Sequence, residues 1–177
     1  MRLSILASCA LAGAGLMACS PTFNWREVRL DPTGLVALLP CKPDQAVRPL
    51  TMGSARMNLH MQGCEAGHAT FAVASAQVEA TAGGNKADAS ELLAQWKTAN
   101  LAALKAQTSE SVPFRVAGAV LPVPQKVSAV GQKANGERVE SQAVYFAQGP
   151  QLFYAVVLAD HIQPDVAESF FSGLKLP

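Results

Sequence analysis

The stretch Leu152-Phe153-Tyr154-Ala155-Val156-Val157-Leu158-Ala159 (LFYAVVLA) decides the fold. Side chains on a strand point alternately to the two faces of a sheet. Here both alternating sets are apolar, so the segment reads as a strand buried on both sides, at the centre of a sheet that needs cover above and below. The run follows the turn-forming Gln148-Gly149-Pro150-Gln151 and ends at the polar pair Asp160-His161.

The segments before it supply the neighbouring strands. Gln125 to Ala134 and Glu137 to Ala147 flank Asn135-Gly136, a dipeptide suited to the positive φ values of a type I′ hairpin. Further back, Phe23 to Leu30 reads as an edge strand, and Asp31-Pro32-Thr33-Gly34 as a type I turn. Gly34 to Pro40 is a buried strand closed by Cys41-Lys42-Pro43-Asp44, and Arg56 to Gln62 and Ala69 to Val78 are two more around Gly63 to Gly67.

Helices supply the cover. Thr81 to Asn85 breaks the strand pattern, and Asp88-Ala89-Ser90-Glu91 has the spacing of a capping box. Ala89, Leu92, Leu93, Trp96, Ala99, Ala103 and Leu104 then recur at a period near 3.6 on one face, with Lys97, Asn100 and Lys105 on or near the other side. A shorter helix starts at Pro164 and Asp165, with Ala167, Phe170, Phe171 and Leu174 inward and Gly173 as a left-handed stop. Tyr145, Phe146, Phe153, Tyr154, Phe170 and Phe171 are expected to meet in one hydrophobic junction between hairpin and helix, with a ligand pocket there as the lesser alternative. The fold class is α+β: an antiparallel sheet covered by one long helix and one short C-terminal helix.

The N-terminus has a different composition. Residues 3 to 18 are apolar behind the single charge of Arg2 and become rich in small residues near their end, the pattern of a secretory signal. A spanning helix needs about 20 apolar residues with anchoring flanks, and this run stops at Cys19-Ser20-Pro21. Leu16-Met17-Ala18-Cys19 resembles the bacterial lipobox. The resemblance implies cleavage before Cys19, a diacylglycerol on its thiol and an acyl chain on its new amino group. Several chains together hold a protein stably on a bilayer. Ser20 rather than Asp after the cysteine implies, by the same resemblance, sorting to the outer membrane.

The expected organisation is a signal peptide over 1–18, a lipidated tether over 19–22 and a single domain over 23–177. The tether reaches on the order of 14 Å, which keeps the domain close to its bilayer. Removing Arg2 leaves 13 basic against 13 acidic side chains, and this balance offers no basic face for nucleic acid.

Cys9 leaves with the signal and Cys19 carries lipid, so Cys41 and Cys64 remain as a pair. In an oxidising periplasm two such thiols become a disulfide. A second reading makes a metal site from Cys41, His60, Cys64 and His68, with Met52, Met57 and Met61 adding soft sulfur nearby. Strand alternation opposes it, because Met57, Leu59 and Met61 fall on one face as core and Asn58, His60 and Gln62 on the other as surface.

Motifs for catalysis are missing: no G-x-S-x-G elbow, H-E-x-x-H helix or phosphate-cradling glycine loop occurs. Asp160 and His161 with Ser169 or Ser172 could be drawn as the triad of a small hydrolase, but adjacent side chains diverge. The expectation is a protein without cofactor that is not an enzyme, and instead binds an envelope protein or cell-wall component.

Two wider resemblances add to this reading. The element order, with the ending LFYAVVL and then AESFFSGLKL, resembles the PsbP-like α/β/α sandwich. The segments NWREV (24 to 28), LPCKPD (39 to 44) and GCEAGHATFAVA (63 to 74) are similar to a group of uncharacterised proteobacterial lipoproteins.

Overall fold

The computed structural model describes residues 22–53, 55–78 and 88–177. The signal segment, Cys19 and the break over Thr81 to Asn85 lie outside them. Among the described residues, nine strands and two helices follow in the order β1 Arg26–Leu30, β2 Leu35–Leu39, β3 Asp44–Met52, β4 Ala55–Ala66, β5 Ala69–Gln77, α1 Ala89–Ala103, β6 Thr108–Pro113, β7 Gln125–Gln132, β8 Arg138–Gln148, β9 Gln151–Ala159 and α2 Pro164–Ser172.

Seven strands form one antiparallel sheet in the order β3-β4-β5-β9-β8-β7-β6, and β1 and β2 form a separate two-stranded hairpin. β9 therefore occupies the centre, hydrogen-bonded to β5 on one side and β8 on the other. Its alternation feeds two cores. Phe153, Ala155 and Val157 pack with Phe71, Phe146 and Phe170 beneath the β1–β2 hairpin and α2. Leu152 and Val156 pack with Leu92, Leu93 and Trp96 beneath α1.

The same alternation corrects the expected single aromatic junction. Phe146, Phe153, Phe170 and Phe171 belong to the hairpin side, whereas Tyr145 and Tyr154 belong with Trp96 to the α1 side. Neighbouring strand positions cannot share a face, so one junction becomes two.

Helix α1 starts as its sequence dictates, with the Asp88 carboxylate accepting the Ser90 N–H at 3.0 Å. Its inward line differs from the expected one. Ala99 and Ala103 are exposed, and Asn100 turns inward to donate to the Tyr145 hydroxyl at 3.0 Å. In α2, Ala167, Phe170 and Phe171 are buried as expected, as is Leu174 just past its end. Gly173, however, has φ −76° and makes no left-handed stop. Glycine is needed there for space, since a Cβ would collide with that of Leu38 on β2.

Two turns also differ. The type I′ hairpin lies at Gly67-His68, both with positive φ (58° and 62°), between the paired Ala66 and Ala69. At Asn135-Gly136 only the glycine has positive φ, at 86°, and the strands pair no further than Gln132 and Arg138. The turn after β1 sits one residue early: the Leu30 carbonyl accepts the Thr33 N–H at 3.1 Å, and the Asp31–Pro32 peptide is cis.

Candidate functional site

Of the residues singled out for chemistry, Cys41 and Cys64 form a disulfide. It ties the end of β2 to β4, joining the small hairpin to the large sheet. The structure thereby removes the Cys2His2 metal shell, because the two sulfurs are bonded to each other. Geometry removes it again. His60 and His68 are separated by the extended run of β4, where His60 pairs with Ser75 and Ala66 with Ala69. Six residues at about 3.4 Å each put them on the order of 20 Å apart. A spacing of four that looks compact on a helix is stretched to about 14 Å on a strand. Among the described residues no group of three or more His, Cys, Asp or Glu side chains could hold a metal ion.

The methionine face behaves as expected in part: Met57 is buried, and Leu59 and Met61 are half-buried. The opposite face does not stay on the surface. Gln62 is only 6% exposed, because the β1–β2 hairpin lies over it and its Nε2 donates to the Arg29 carbonyl at 2.9 Å.

The hydrolase arrangement around His161 is not assembled. Asp160 faces Lys133, whose Nζ donates to its Oδ1 at 2.7 Å. Ser169 donates to the Asp165 carbonyl and Ser172 to the Ser169 carbonyl, so both serines satisfy their own helix. The His161 side chain is 80% exposed, with Nδ1 3.5 Å from Glu140. Glu140 is committed to structure, accepting from the Ile162 N–H at 2.9 Å and from Arg138 at 2.9 Å. The Ile162 N–H, then Arg138 and His161, hold its carboxyl below the usual glutamate range.

Beside α2 lies a recess of about 630 Å³, floored by Phe114, Phe171 and Leu174, with Lys126 stacked 5.2 Å from the Phe171 ring centroid. Of the six aromatic residues expected at the junction, Phe171 lines this recess. Phe114 and Lys126 come from the connection before β7 and from β7 itself, and no periodic pattern marked them.

On the α1 side, the Tyr145 and Tyr154 rings meet at 5.0 Å between centroids, tilted by 43°, and the Trp96 ring lies 5.4 Å from Tyr154. Burial pushes the Tyr145 phenol up to about 12 and raises that of Tyr154 further. An acid whose pKa is raised on folding favours the folded state below its unfolded value, near 10. That contribution is lost as pH rises through the folded value. The chain has two tyrosines. We therefore expect no phenolate absorbance at 295 nm from native protein near pH 10, and its appearance together with loss of near-ultraviolet circular dichroism above that. Free titration of either tyrosine near pH 10 with the fold intact would contradict the packing.

No family model matches the chain, and no curated protein matches it. Among solved structures, a Pseudomonas aeruginosa protein of unknown function, PA94, aligns over 76% of this chain and 82% of its own, at 13% identity and a TM-score of 0.37. A likeness at that level carries no argument about fold or activity.

Proposed function

We propose that this chain is an envelope lipoprotein, anchored through acylated Cys19 and facing the periplasm from the outer membrane. Its folded part, a PsbP-like α/β/α sandwich related to uncharacterised proteobacterial lipoproteins, is a binding module for an envelope protein or wall component and catalyses no reaction. The observation that carries this reading is the Cys41–Cys64 disulfide, which belongs in an oxidising compartment and agrees with the export signal. Cover on both faces of the large sheet, α1 on one and the β1–β2 hairpin with α2 on the other, supports the sandwich comparison.

The start of the described chain supports a close tether. The Phe23 ring lies over Gly67 in the β4–β5 turn and 5.9 Å from Trp25, so the chain is held down from its fifth residue after Ala18. The bilayer would thus lie at the end of the sheet that carries Gly67-His68.

Metabolic labelling with palmitate tests the anchor. Label is expected in the wild-type protein and is expected to fall to background in Cys19→Ala, which also shifts the protein from the outer-membrane fraction to the soluble periplasm. An inhibitor of lipoprotein signal peptidase should leave the uncleaved precursor. Unlabelled wild-type protein, or label retained in Cys19→Ala, overturns the reading.

A further inference from the structure

The strands β7 and β8 pair no further than Gln132 and Arg138, which leaves residues 133–137 outside the ladder, all of them exposed. At the tip of this connection stands Asn135-Gly136. Gly136 has φ 86°, and open space surrounds the position that a Cβ would take. Two hydrogen bonds shape the tip. The Gly136 N–H donates to the Lys133 carbonyl at 2.9 Å, and the Glu137 N–H donates to Asn135 Oδ1 at 3.1 Å.

These features bear on one reaction of an asparagine side chain, attack on its carboxamide carbon by the next backbone nitrogen. The Glu137 N–H polarises the carboxamide toward its oxygen, where negative charge gathers during such an attack. Glycine at 136 carries no side chain to screen its own nitrogen. The bond from that nitrogen to the Lys133 carbonyl must open first, and at an exposed loop tip a single hydrogen bond opens at little free-energy cost. Other asparagines lack this setting. Asn24, Asn58, Asn85 and Asn100 precede Trp25, Leu59, Lys86 and Leu101, each with a bulky side chain beside the nitrogen. Asn100 is also held inside α1, where it donates to the Tyr145 hydroxyl.

We propose that Asn135 is a site of spontaneous modification, at which the folded protein converts asparagine to aspartate and isoaspartate through a cyclic imide with Gly136. The Gly136 nitrogen gives its proton to hydroxide and attacks Asn135 Cγ. The N–Cγ bond forms, the Cγ–Nδ2 bond breaks, and Nδ2 leaves as ammonia with a proton from water. Water then opens the imide. Cleavage of the N–Cγ bond yields aspartate on the original main chain, and cleavage of the original peptide bond yields isoaspartate, with the main chain routed through Cβ and Cγ. Either product places a carboxylate where a neutral amide stood, in a turn whose Lys133 already meets Asp160 at 2.7 Å and Glu137 at 3.6 Å. Isoaspartate also adds an atom to the main chain between Lys133 and Glu137, whose backbones bond at 2.8 Å. The proposal stands on this turn alone and is independent of the anchor.

The test is timed incubation of the full-length protein in detergent micelles, followed by proteolysis and peptide mass spectrometry. The peptide that holds Asn135 should gain one dalton and split into two chromatographic forms. Its rate should lie within about tenfold of that in the same protein unfolded in guanidinium chloride, because an exposed turn opens at little cost. Far below its pKa the deprotonated fraction of a group rises about tenfold per pH unit, so the rate should climb nearly as steeply between neutral and mildly alkaline buffer. Asn135→Gln must close a larger ring and should bring the gain to background, with an unchanged melting temperature at this exposed position. Asn58, also exposed, is the internal control and should stay intact. Native conversion slower than that range, a rate indifferent to pH, an equal gain in Asn135→Gln, or conversion at Asn58 as fast as at Asn135 each overturn the proposal.

Discussion

Replacing Phe153 with alanine is expected to lower the stability of the fold by about 3–5 kcal/mol, the range for removing a buried phenylalanine whose cavity cannot collapse. Phe153 is fully buried on the central strand and stacks on Phe146 at 5.0 Å between ring centroids. It reaches the hairpin-side core, where Phe71 and Phe170 come from β5 and α2. For a domain of this size each kcal/mol moves the melting temperature by about 2–4 °C, so a drop on the order of 10 °C or more should appear by circular dichroism. Val47→Ala on the edge strand β3, where the side chain is 61% exposed, should stay within about 0.5 kcal/mol of wild type. Equal melting of Phe153→Ala and Val47→Ala would mean that this face of the sheet is not closed.

Loss of the disulfide should have the next largest effect. The bond closes a loop with a sequence separation of 23, which contains all of β3 and most of β4. Restricting the unfolded chain over a loop of that length is worth about 3 kcal/mol in the chain-entropy account. The link also has a specific structural consequence. β1 and β2 are not hydrogen-bonded into the seven-stranded sheet and reach it through side-chain packing, the Gln62 contact and this bridge. Cys41→Ala with Cys64→Ala should therefore melt several degrees lower and expose β1 and β2 amides to hydrogen exchange before those of β9. Dithiothreitol should reproduce the effect in the wild type and leave the double variant unchanged. A melting temperature insensitive to both treatments would show that the bridge constrains nothing.

The two effects differ in how far they could be read from the residues. LFYAVVLA is apolar at every position, and that alone requires cover on both faces; the structure puts it fourth of seven strands, with α1 on one side and α2 and the hairpin on the other. The Cys41–Cys64 pair followed from counting thiols once Cys9 and Cys19 were assigned to the signal and the lipid. Helix α1 opened at its Asp88 cap, and α2 buried the four residues its spacing marked.

The strands β3 and β6 were not legible, and both are edges. Residues 44–49 of β3 and all six positions of β6 are exposed. An edge strand is defined by its hydrogen-bonded neighbour rather than by burial, so it carries no alternation to read. The grouping of Thr33, His60, Ser75 and Gln151 around one recess was hidden for a related reason. Thr33, His60, Ser75 and Gln151 are far apart in the chain and individually ordinary, and Ser75 sits in a strand where a small residue calls for no explanation. Only pairing of β4, β5 and β9 beneath the end of the β1–β2 hairpin makes them neighbours.

Burial and periodicity are local properties of a chain, so the residues alone marked which segments are buried on two faces, which helix faces are apolar and which thiols are left to pair. Tertiary packing divides the aromatic residues between two cores, sets His60 on β4 far from His68 in the turn that follows it, and encloses Ser75 without a hydrogen-bond partner. Those outcomes depend on strand order and register, and both are set by the hydrogen bonds between segments distant in the chain.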